Sequence, residues 1–177
     1  MSGVAVIYKS KYGSTELYAR WIAEELGAPL FEASQVKPAL LASWDVVVCG
    51  GGLYAGGING VALVTKNLCK SLVVFTVGLA DPAITDYNEV LKRNFPGEVP
   101  ANVKVFHLRG GIDYQKLSLA HKGMMAIFRK VTAKKDPAQL SGEEKAVMET
   151  GGESADFTDR DTIAPIVAFV KERLSEN

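Results

Sequence analysis

The sequence predicts an α/β protein built on one parallel sheet that is covered by helices on both faces. Five short apolar runs recur along the chain, helical patterns alternate with them, and four runs end in loops rich in glycine, hydroxyl or aromatic side chains. Near-continuous apolar runs are typical of strands that are buried on both faces of a parallel sheet. Ligands of such sheets bind outside the carboxyl ends of the strands, so these loops form the candidate functional edge.

The apolar runs and helical patterns define the elements in order. Apolar and β-branched residues predict strands at 4–7, 29–33, 44–49, 72–77 and 103–108. Apolar residues at helical spacing predict helices at 17–26, 59–70, 83–95 and 161–174, and Gly27 closes the first of them. Residues 112–158 form an insertion before the last helix, where a minimal fold of this kind needs only a short link.

Length and charge restrict the function classes. The 177 residues predict a single domain, residues 1–177, in which 20 Lys and Arg balance 20 Asp and Glu. This balance argues against a general nucleic-acid binder. We recognise no signal peptide and no apolar run of membrane-spanning length, so we expect a cytoplasmic protein. Cys49 and Cys69 lack metal-type spacing, which predicts two reduced structural thiols and no metal site.

The loop behind the first strand is a candidate anion site. It contains Ser10, Ser14 and Thr15 around Gly13, directly before the first helix. The first N–H groups of a helix have no intrahelical acceptor and the helix dipole adds partial positive charge, so a phosphate fits such a turn. The loop lacks the sequence patterns of the P-loop and of the dinucleotide fold. The alternative is that Ser14 or Thr15 only caps the helix.

Two further loops favour a planar ligand. Five glycines surround Leu53 and Tyr54 after the third strand, and the fourth strand runs into Thr-Val-Gly-Leu-Ala at 76–80. Glycine allows positive φ and close backbone approach, and a tyrosine ring offers a flat face to a planar ligand. The alternative is a tight turn with Tyr54 in the core.

Taken in order, these three loops resemble those of flavodoxins over residues 4–111. Ser-Lys-Tyr-Gly-Ser-Thr at 10–15 resembles the flavodoxin phosphate loop, S/T-x-x-G-x-T. Asp-x-Val-Val-x-Gly at 45–50, leading into Tyr-Ala-Gly-Gly at 54–57, resembles the first isoalloxazine loop, and residues 76–80 resemble the second. The resemblance implies a flavodoxin-like, doubly wound, five-stranded sheet of strand order 2-1-3-4-5, with FMN as cofactor.

The resemblance also implies which residues bind FMN. Those at the phosphate would be Ser10, Tyr12, Gly13, Ser14 and Thr15. Those along the flavin would be Tyr54, Ala55, Gly56 and Gly57 on one side and Thr76, Gly78 and Leu79 on the other, with Gly110 and Gly111 in the loop after the fifth strand. Backbone groups of Gly56 or Gly57 would meet flavin N5 and tune its potential. No catalytic residue is predicted: we expect His107 to be structural, and spacing alone does not place His121 near the flavin.

Residues 110–159 narrow the resemblance. Gly-Gly-Ile-Asp-Tyr-x-Lys-Leu at 110–117, a basic helix, and Gly-x-x-x-Asp-Phe-Thr-Asp at 152–159 resemble a flavodoxin subfamily that includes the quinone-dependent protoporphyrinogen IX dehydrogenases. That subfamily typically has Trp after the Thr-Asp pair, whereas this chain has Arg160. The resemblance implies an FMN-dependent oxidoreductase that moves electrons from a porphyrinogen or another reduced organic substrate to a quinone. The alternatives are a flavodoxin-type protein-to-protein electron carrier, against which the zero net charge argues, and an NAD(P)H:quinone reductase.

The insertion contains a basic amphipathic segment. Residues 114–135 include six Lys or Arg and no Asp or Glu. The apolar residues on one predicted helical stripe are Leu117, Ala120, Met124, Ile127, Phe128 and Val131. Such a helix suits peripheral contact with the inner face of a membrane, a large flat ligand such as a porphyrinogen or quinone, or packing on the protein's own sheet. The acidic residues 136–159 are expected to fold back on it.

Overall fold

The computed structural model describes residues 3–176 and confirms the predicted α/β sheet. The strands of this sheet are β1 Val4–Lys9, β2 Leu30–Glu32, β3 Val46–Tyr54, β4 Gly57–Ile58, β5 Ser71–Gly78 and β6 Val103–Arg109. Five are parallel in the order β2-β1-β3-β5-β6, which is the predicted order 2-1-3-4-5 once β4 is set aside. β4 is a short antiparallel strand that forms a hairpin with the end of β3.

The helices lie on both faces of the sheet and in the insertion. They are α1 Ser14–Leu26, α2 Ala62–Thr65, α3 Asn88–Asn94, α4 Leu119–Thr132, α5 Gly142–Thr150 and α6 Ala164–Ser175. Short 3-10 helices span Ala33–Gln35, Pro38–Ser43, Pro137–Gln139 and Arg160–Ile163, and strands β7 Gly111–Ile112 and β8 Ala155–Asp156 pair with each other.

Two helices are shorter than predicted. The pattern at 59–70 yields only α2, because Gly60 has a φ of +79° and a helix can begin only after it. The pattern at 83–95 yields only α3, because the carboxylates of Asp81 and Asp86 accept hydrogen bonds from the N–H groups of Ala83 and Asn88. Such bonds stabilise turns in competition with a helix.

Alternating strand residues build a core on each face of the sheet. Ile7, Val47 and Val74 point to the face that α2 and α3 cover, where they pack with Phe95 and other buried residues. Their neighbours Val6, Val48 and Val73 point to the face of α1 and α6, where Tyr18, Ile22, Phe75 and Ile166 are fully buried. Because each strand buries both of its faces, the apolar runs are nearly continuous in the sequence.

The insertion forms a hairpin of two helices, α4 and α5. Its acidic part does fold back on the basic helix: Lys135 Nζ lies 2.5 Å from Glu144 Oε1, and Arg129 Nη2 donates a 2.6 Å hydrogen bond to the carbonyl of Gly151. The Lys135 ammonium lowers the pKa of the Glu144 carboxyl. No helix within residues 3–176 combines the length and the apolar character needed to cross a bilayer.

Arg160 forms ion pairs with two glutamates of α1. Its guanidinium reaches Glu24 Oε2 at 3.0 Å and Glu25 Oε1 at 2.9 Å, so it joins the segment before α6 to the last turn of α1. Two ion pairs to one helix therefore stand at the position where the resembling subfamily has Trp. Both cysteines are buried free thiols, and burial raises the pKa of Cys49 to about 12.

Candidate functional site

The predicted site residues meet at the carboxyl edge of the sheet. They lie in the turn between β1 and α1, in the β3–β4 hairpin, and after β5 and β6. The Gly111 N–H donates to Ser14 Oγ at 3.3 Å, and the Gly110 N–H donates to the Gly78 carbonyl at 2.7 Å. These bonds directly join three of the four loops. The loops are packed so closely that a side chain larger than that of glycine does not fit at Gly110, where a Cβ would lie 2.6 Å from Val77 Cγ1.

The turn between β1 and α1 exposes donors to an anion. Gly13 precedes the helix with a φ of +104°. Within residues 3–176, the backbone N–H groups of Ser14, Thr15 and Glu16 have no hydrogen-bond acceptor. Ser10 Oγ accepts from the Gly13 N–H at 3.1 Å, and Ser14 Oγ accepts from Gly111. Since both hydroxyls already accept, each keeps its own proton for donation. The turn therefore fits a phosphate group.

The β3–β4 hairpin turns at Ala55 and Gly56. Both have positive φ, +47° and +78°, which is the geometry of a two-residue turn between right-twisted strands. Two residues of α3 hold the carbonyls of this turn: Arg93 Nη1 donates to Ala55 at 2.7 Å and Asn94 Nδ2 donates to Gly56 at 3.0 Å. The turn is thus fixed from the outside, and Tyr54 beside it stays 43 % exposed.

At the end of β5, Thr76 is fully buried and faces the neighbouring strand. Its hydroxyl lies 2.6 Å from Nδ1 of His107, its register partner on β6. Tyr87 stacks on the His107 ring with 3.6 Å between centroids and an interplanar angle of 4°. Burial lowers the pKa of His107 to about 4, so the imidazole is neutral at physiological pH.

The insertion lies over this edge of the sheet. His121 of α4 is hydrogen-bonded through Nδ1 to Tyr12 Oη, and its ring centroid is 4.9 Å from that of Tyr54. Met124 Sδ accepts a 3.5 Å hydrogen bond from Tyr54 Oη. From α5, Glu149 pairs with Arg109 at 2.8 Å, and Arg109 also donates to the Leu79 carbonyl. The insertion therefore contacts the turn between β1 and α1 (residues 10–15, called the phosphate-type turn below), the hairpin and the end of β6, and Arg109 connects it to the loop after β5.

A cleft of about 760 Å³ opens beside the hairpin. Gly56 and Arg93 line it on the side of the hairpin, Ile84 and Tyr87 belong to the segment before α3, and Ser141, Gly142 and Glu143 line it at the N-terminus of α5. Gly142 lies so close to Thr85 that an added Cβ would be 2.2 Å from its hydroxyl oxygen. A molecule bound in this cleft would touch both the hairpin turn and the insertion.

Comparison with known families identifies the domain. The model of the flavodoxin domain matches residues 5–139, more than half of the chain. The chain belongs to the flavodoxin domain family. As a flavodoxin-domain protein it binds FMN and has a redox function, and the donors of the β1–α1 turn fit the phosphate of that cofactor. A comparison with curated protein sequences gives no match.

Several solved structures are similar to this flavodoxin-domain chain at low identity. Flavodoxin 2 from Bacillus cereus shares 19% identity, with 60% of this chain and 85% of that one covered and a TM-score of 0.43. Flavodoxin 1 from Bacillus cereus shares 15%, covering 62% and 84% with a TM-score of 0.44. A WrbA-like flavodoxin from Agrobacterium tumefaciens shares 23%, covering 47% and 64% with a TM-score of 0.37. The family assignment rests on the domain match.

Sequence reasoning missed several residues of this flavodoxin-domain site. Arg93 and Asn94 hold the hairpin from a helix 38 positions further along the chain, and no local pattern connects them to it. Arg109 follows the predicted fifth strand but carries no motif. His121 stood out only as a titratable side chain, and its contact with Tyr12 spans 109 positions.

Proposed function

We propose that the protein is an FMN-dependent oxidoreductase that takes electrons from a reduced organic substrate, with protoporphyrinogen IX as the leading candidate, and passes them to a quinone. FMN, when bound, supplies the exchange of an electron pair between the two substrates. The residues that we assign to FMN are Ser10, Tyr12, Gly13, Ser14, Thr15, Tyr54, Ala55, Gly56, Gly57, Thr76, Gly78, Leu79, Gly110 and Gly111. In this assignment the turn before α1 binds the phosphate of FMN, and the flavin ring lies between the β3–β4 hairpin and the end of β5.

One observation supports an enzyme over a pure electron carrier: the insertion covers the carboxyl edge and builds a cleft beside the hairpin. The cleft has walls from α3 and from α5, so it exists only because residues 112–158 fold over the domain. A carrier needs an open edge for a protein partner, whereas a small-molecule substrate needs a concave site. In this open cleft Ile84 and Tyr87 supply apolar surface, and the charged side chains along it are those of Asp86, Glu89, Lys92, Arg93, Glu143 and Lys145.

The proposed reaction balances without a further reactant. Oxidation of a porphyrinogen breaks C–H and N–H bonds, and each new double bond releases an electron pair and protons. Complete oxidation to the porphyrin removes three electron pairs and six protons, so three quinones each take up one electron pair and two protons and become hydroquinones. Arg93, Asn94 and Arg109 hold the loops around the site through backbone carbonyls, so they position the binding surfaces.

The test is turnover by the FMN-loaded protein with protoporphyrinogen IX and a quinone, followed by porphyrin fluorescence under nitrogen. We expect fluorescence to rise faster than in protein-free and quinone-free controls. Oxidation of NADPH without porphyrinogen turnover would support the NAD(P)H:quinone reductase instead. Reduction by a flavodoxin reductase, again without porphyrinogen turnover, would support the carrier.

We further propose that the enzyme is cytoplasmic and works at the inner face of a membrane, with residues 114–135 as the contact. On α4 the apolar side chains Leu119, Ile127 and Val131 are 87%, 67% and 54% exposed. The exposed Lys122, Lys130 and Lys134 flank them. This arrangement favours a bilayer with anionic lipids over packing on the sheet, because these three apolar side chains face away from the protein, whereas Leu117 of the predicted stripe is buried and Met124 contacts Tyr54. Quinones partition into such bilayers because of their apolar character.

Co-sedimentation with vesicles tests this contact. Lys130→Glu combined with Lys134→Glu should abolish binding to vesicles that contain anionic phosphatidylglycerol, while Lys37→Glu combined with Lys66→Glu changes the same charge on other exposed residues and should leave more binding. Arg129 is unsuitable for such a test, because its guanidinium joins α4 to the end of α5. Equal binding by the two double variants would contradict the contact.

A further inference from the structure

Four side chains from three distant segments of the chain meet where α4 covers the site: Lys11 and Tyr12, Tyr54, and His121. His121 of α4 is buried, with 8% of its surface exposed. Its Nδ1 is hydrogen-bonded to Tyr12 Oη, its Nε2 lies 3.4 Å from Lys11 Nζ, and its ring lies against Tyr54. Lys11 Nζ also lies 5.7 Å from the centroid of the Tyr54 ring, within the range of a cation–π contact.

The chemistry of these partners determines where the imidazole carries its proton. An ammonium group only donates, so His121 Nε2 must accept from Lys11. The proton then sits on Nδ1 and is donated to Tyr12 Oη. A proton on Nε2 would point at an ammonium group that cannot accept it. The groups that face the ring are Lys11, Tyr12 and Tyr54, and the contacts of Lys11 and Tyr12 favour the Nδ1–H tautomer.

The tautomer has a consequence for Tyr12 and Lys11. Because the Tyr12 oxygen accepts from His121, its own O–H is free to donate elsewhere. The remaining N–H groups of Lys11 form no hydrogen bond with residues 3–176, so they can also donate elsewhere. A phenol donor and an ammonium donor, both anchored on one imidazole at the rim of the phosphate-type turn, are complementary to an oxyanion.

We propose that Lys11, Tyr12 and His121 form an oxyanion subsite at the rim of the flavin site, with His121 as the positioning residue. The subsite exists only when the insertion is in place, because His121 belongs to α4. The proposal rests on the proposed function, from which two sources of the oxyanion follow: the phosphate of FMN or a carboxylate of the organic substrate. Lys11 and Tyr12 belong to the phosphate-type turn itself, and His121 adds a contact from the insertion, so a phosphate in the turn and a substrate carboxylate beside it both lie within reach.

A spectroscopic measurement tests the positioning role without turnover. Long-range proton–nitrogen correlations of 15N-histidine-labelled protein distinguish the two neutral tautomers and the imidazolium. The chain has only two histidines, and a His107→Gln variant assigns the signals. We expect the Nδ1–H tautomer for His121 at neutral pH. The Nε2–H tautomer or an imidazolium would overturn the proposal.

Binding measurements distinguish the sources of the oxyanion. His121→Phe keeps the ring contact with Tyr54 and removes both nitrogens, whereas His121→Asn keeps a donor near the position of Nδ1. The probes are FMN, riboflavin, protoporphyrin IX and its dimethyl ester, each titrated by fluorescence. For His121→Phe we expect about tenfold weaker binding of either FMN or protoporphyrin IX, which is the effect of losing one charge-assisted hydrogen bond. The His121→Asn variant should recover much of the lost affinity.

The neutral analogues decide the outcome. Loss for FMN with riboflavin unchanged assigns the oxyanion to the phosphate, and loss for protoporphyrin IX with the ester unchanged assigns it to a carboxylate. Equal losses for an anionic probe and its neutral analogue, or no loss for any probe, would overturn the subsite. If the wild type binds no porphyrin, the FMN and riboflavin pair decides alone, so failure of the proposed substrate stays separate from failure of the subsite.

Discussion

Arg93 donates a 2.7 Å hydrogen bond from Nη1 to the carbonyl of Ala55, which has a φ of +47° at the tip of the β3–β4 hairpin. The carbonyl of a turn is held by a side chain from α3, and the same guanidinium lines the cleft beside the turn. A left-handed conformation is costly for a residue with a Cβ and needs support from its surroundings. Arg93 therefore links the shape of the proposed flavin turn to the position of α3.

We expect Arg93→Met to weaken FMN binding about tenfold, because a hydrogen bond from a charged donor contributes on the order of 1.5–3 kcal/mol and tenfold corresponds to about 1.4 kcal/mol. Titration of the apoprotein with FMN measures the effect. Lys92→Met is the matched control, since Lys92 is exposed and pairs only with Glu89 at 2.9 Å within residues 3–176. Equal dissociation constants for the two variants would show that Arg93 does not support the flavin turn.

Ser14→Glu should abolish FMN binding. A carboxylate at the first position of α1 would face the phosphate at the donors of Ser14, Thr15 and Glu16, and like charges at that distance repel. Ser175→Glu, at the exposed end of α6, is the control for the added charge. Flavin absorbance after gel filtration reports retention, and circular dichroism confirms that each variant is folded. Wild-type affinity in a folded Ser14→Glu protein would refute the phosphate assignment.

Replacement of glycine by alanine should change the free energy of unfolding in opposite directions at Gly50 and Gly123. A Cβ at Gly50 would lie 2.1 Å from Cζ of Phe75, which is fully buried, so Gly50→Ala should destabilise the fold by about 1–3 kcal/mol. At Gly123 of α4 a Cβ meets no atom within 4 Å, so Gly123→Ala should stabilise by about 0.5–1 kcal/mol through helix propensity. Urea unfolding measures both values, and effects of the same sign would contradict the packing described for β3 and α4.

His107 makes stability depend on pH. Burial lowers its pKa from 6.5 to about 4 in the folded protein, so between these values the unfolded chain binds the proton and the folded protein does not. Stability is therefore fully present above pH 6.5 and falls as the pH is lowered toward 4. The free energy of unfolding of His107→Gln should drop less than that of the wild type between pH 7 and pH 5. Equal drops would indicate that His107 titrates normally.

The sheet was predictable because its signals are local. Val6 and Ile7, or Val47 and Val48, are adjacent in the sequence and fill opposite cores, so a short apolar run is enough to indicate a buried strand. The phosphate-type turn was predictable for the same reason, since its hydroxyls, glycine and helix are consecutive.

The support of the site was not predictable in this way. The contacts of Arg93 with Ala55 and of His121 with Tyr12 join residues that only the folded chain brings together. The helix hairpin of the insertion was only partly predicted, because its apolar stripe faces solvent at Ile127 and Val131 and does not show which face of α4 packs inward. Helix periodicity reveals an apolar face, but it does not reveal the partner of that face.

The most direct test is to mix the FMN-loaded protein with one third of an equivalent of protoporphyrinogen IX under nitrogen, without a quinone, and to follow the flavin absorbance. This ratio is needed because each FMN accepts one electron pair and the porphyrin forms only after three pairs are removed. We expect the oxidised flavin band to disappear while porphyrin fluorescence appears, and we expect added quinone to restore the band. Bound FMN with an unchanged absorbance band in the presence of the porphyrinogen would contradict the proposed oxidoreductase. It would leave a flavodoxin-domain protein whose electrons come from another donor.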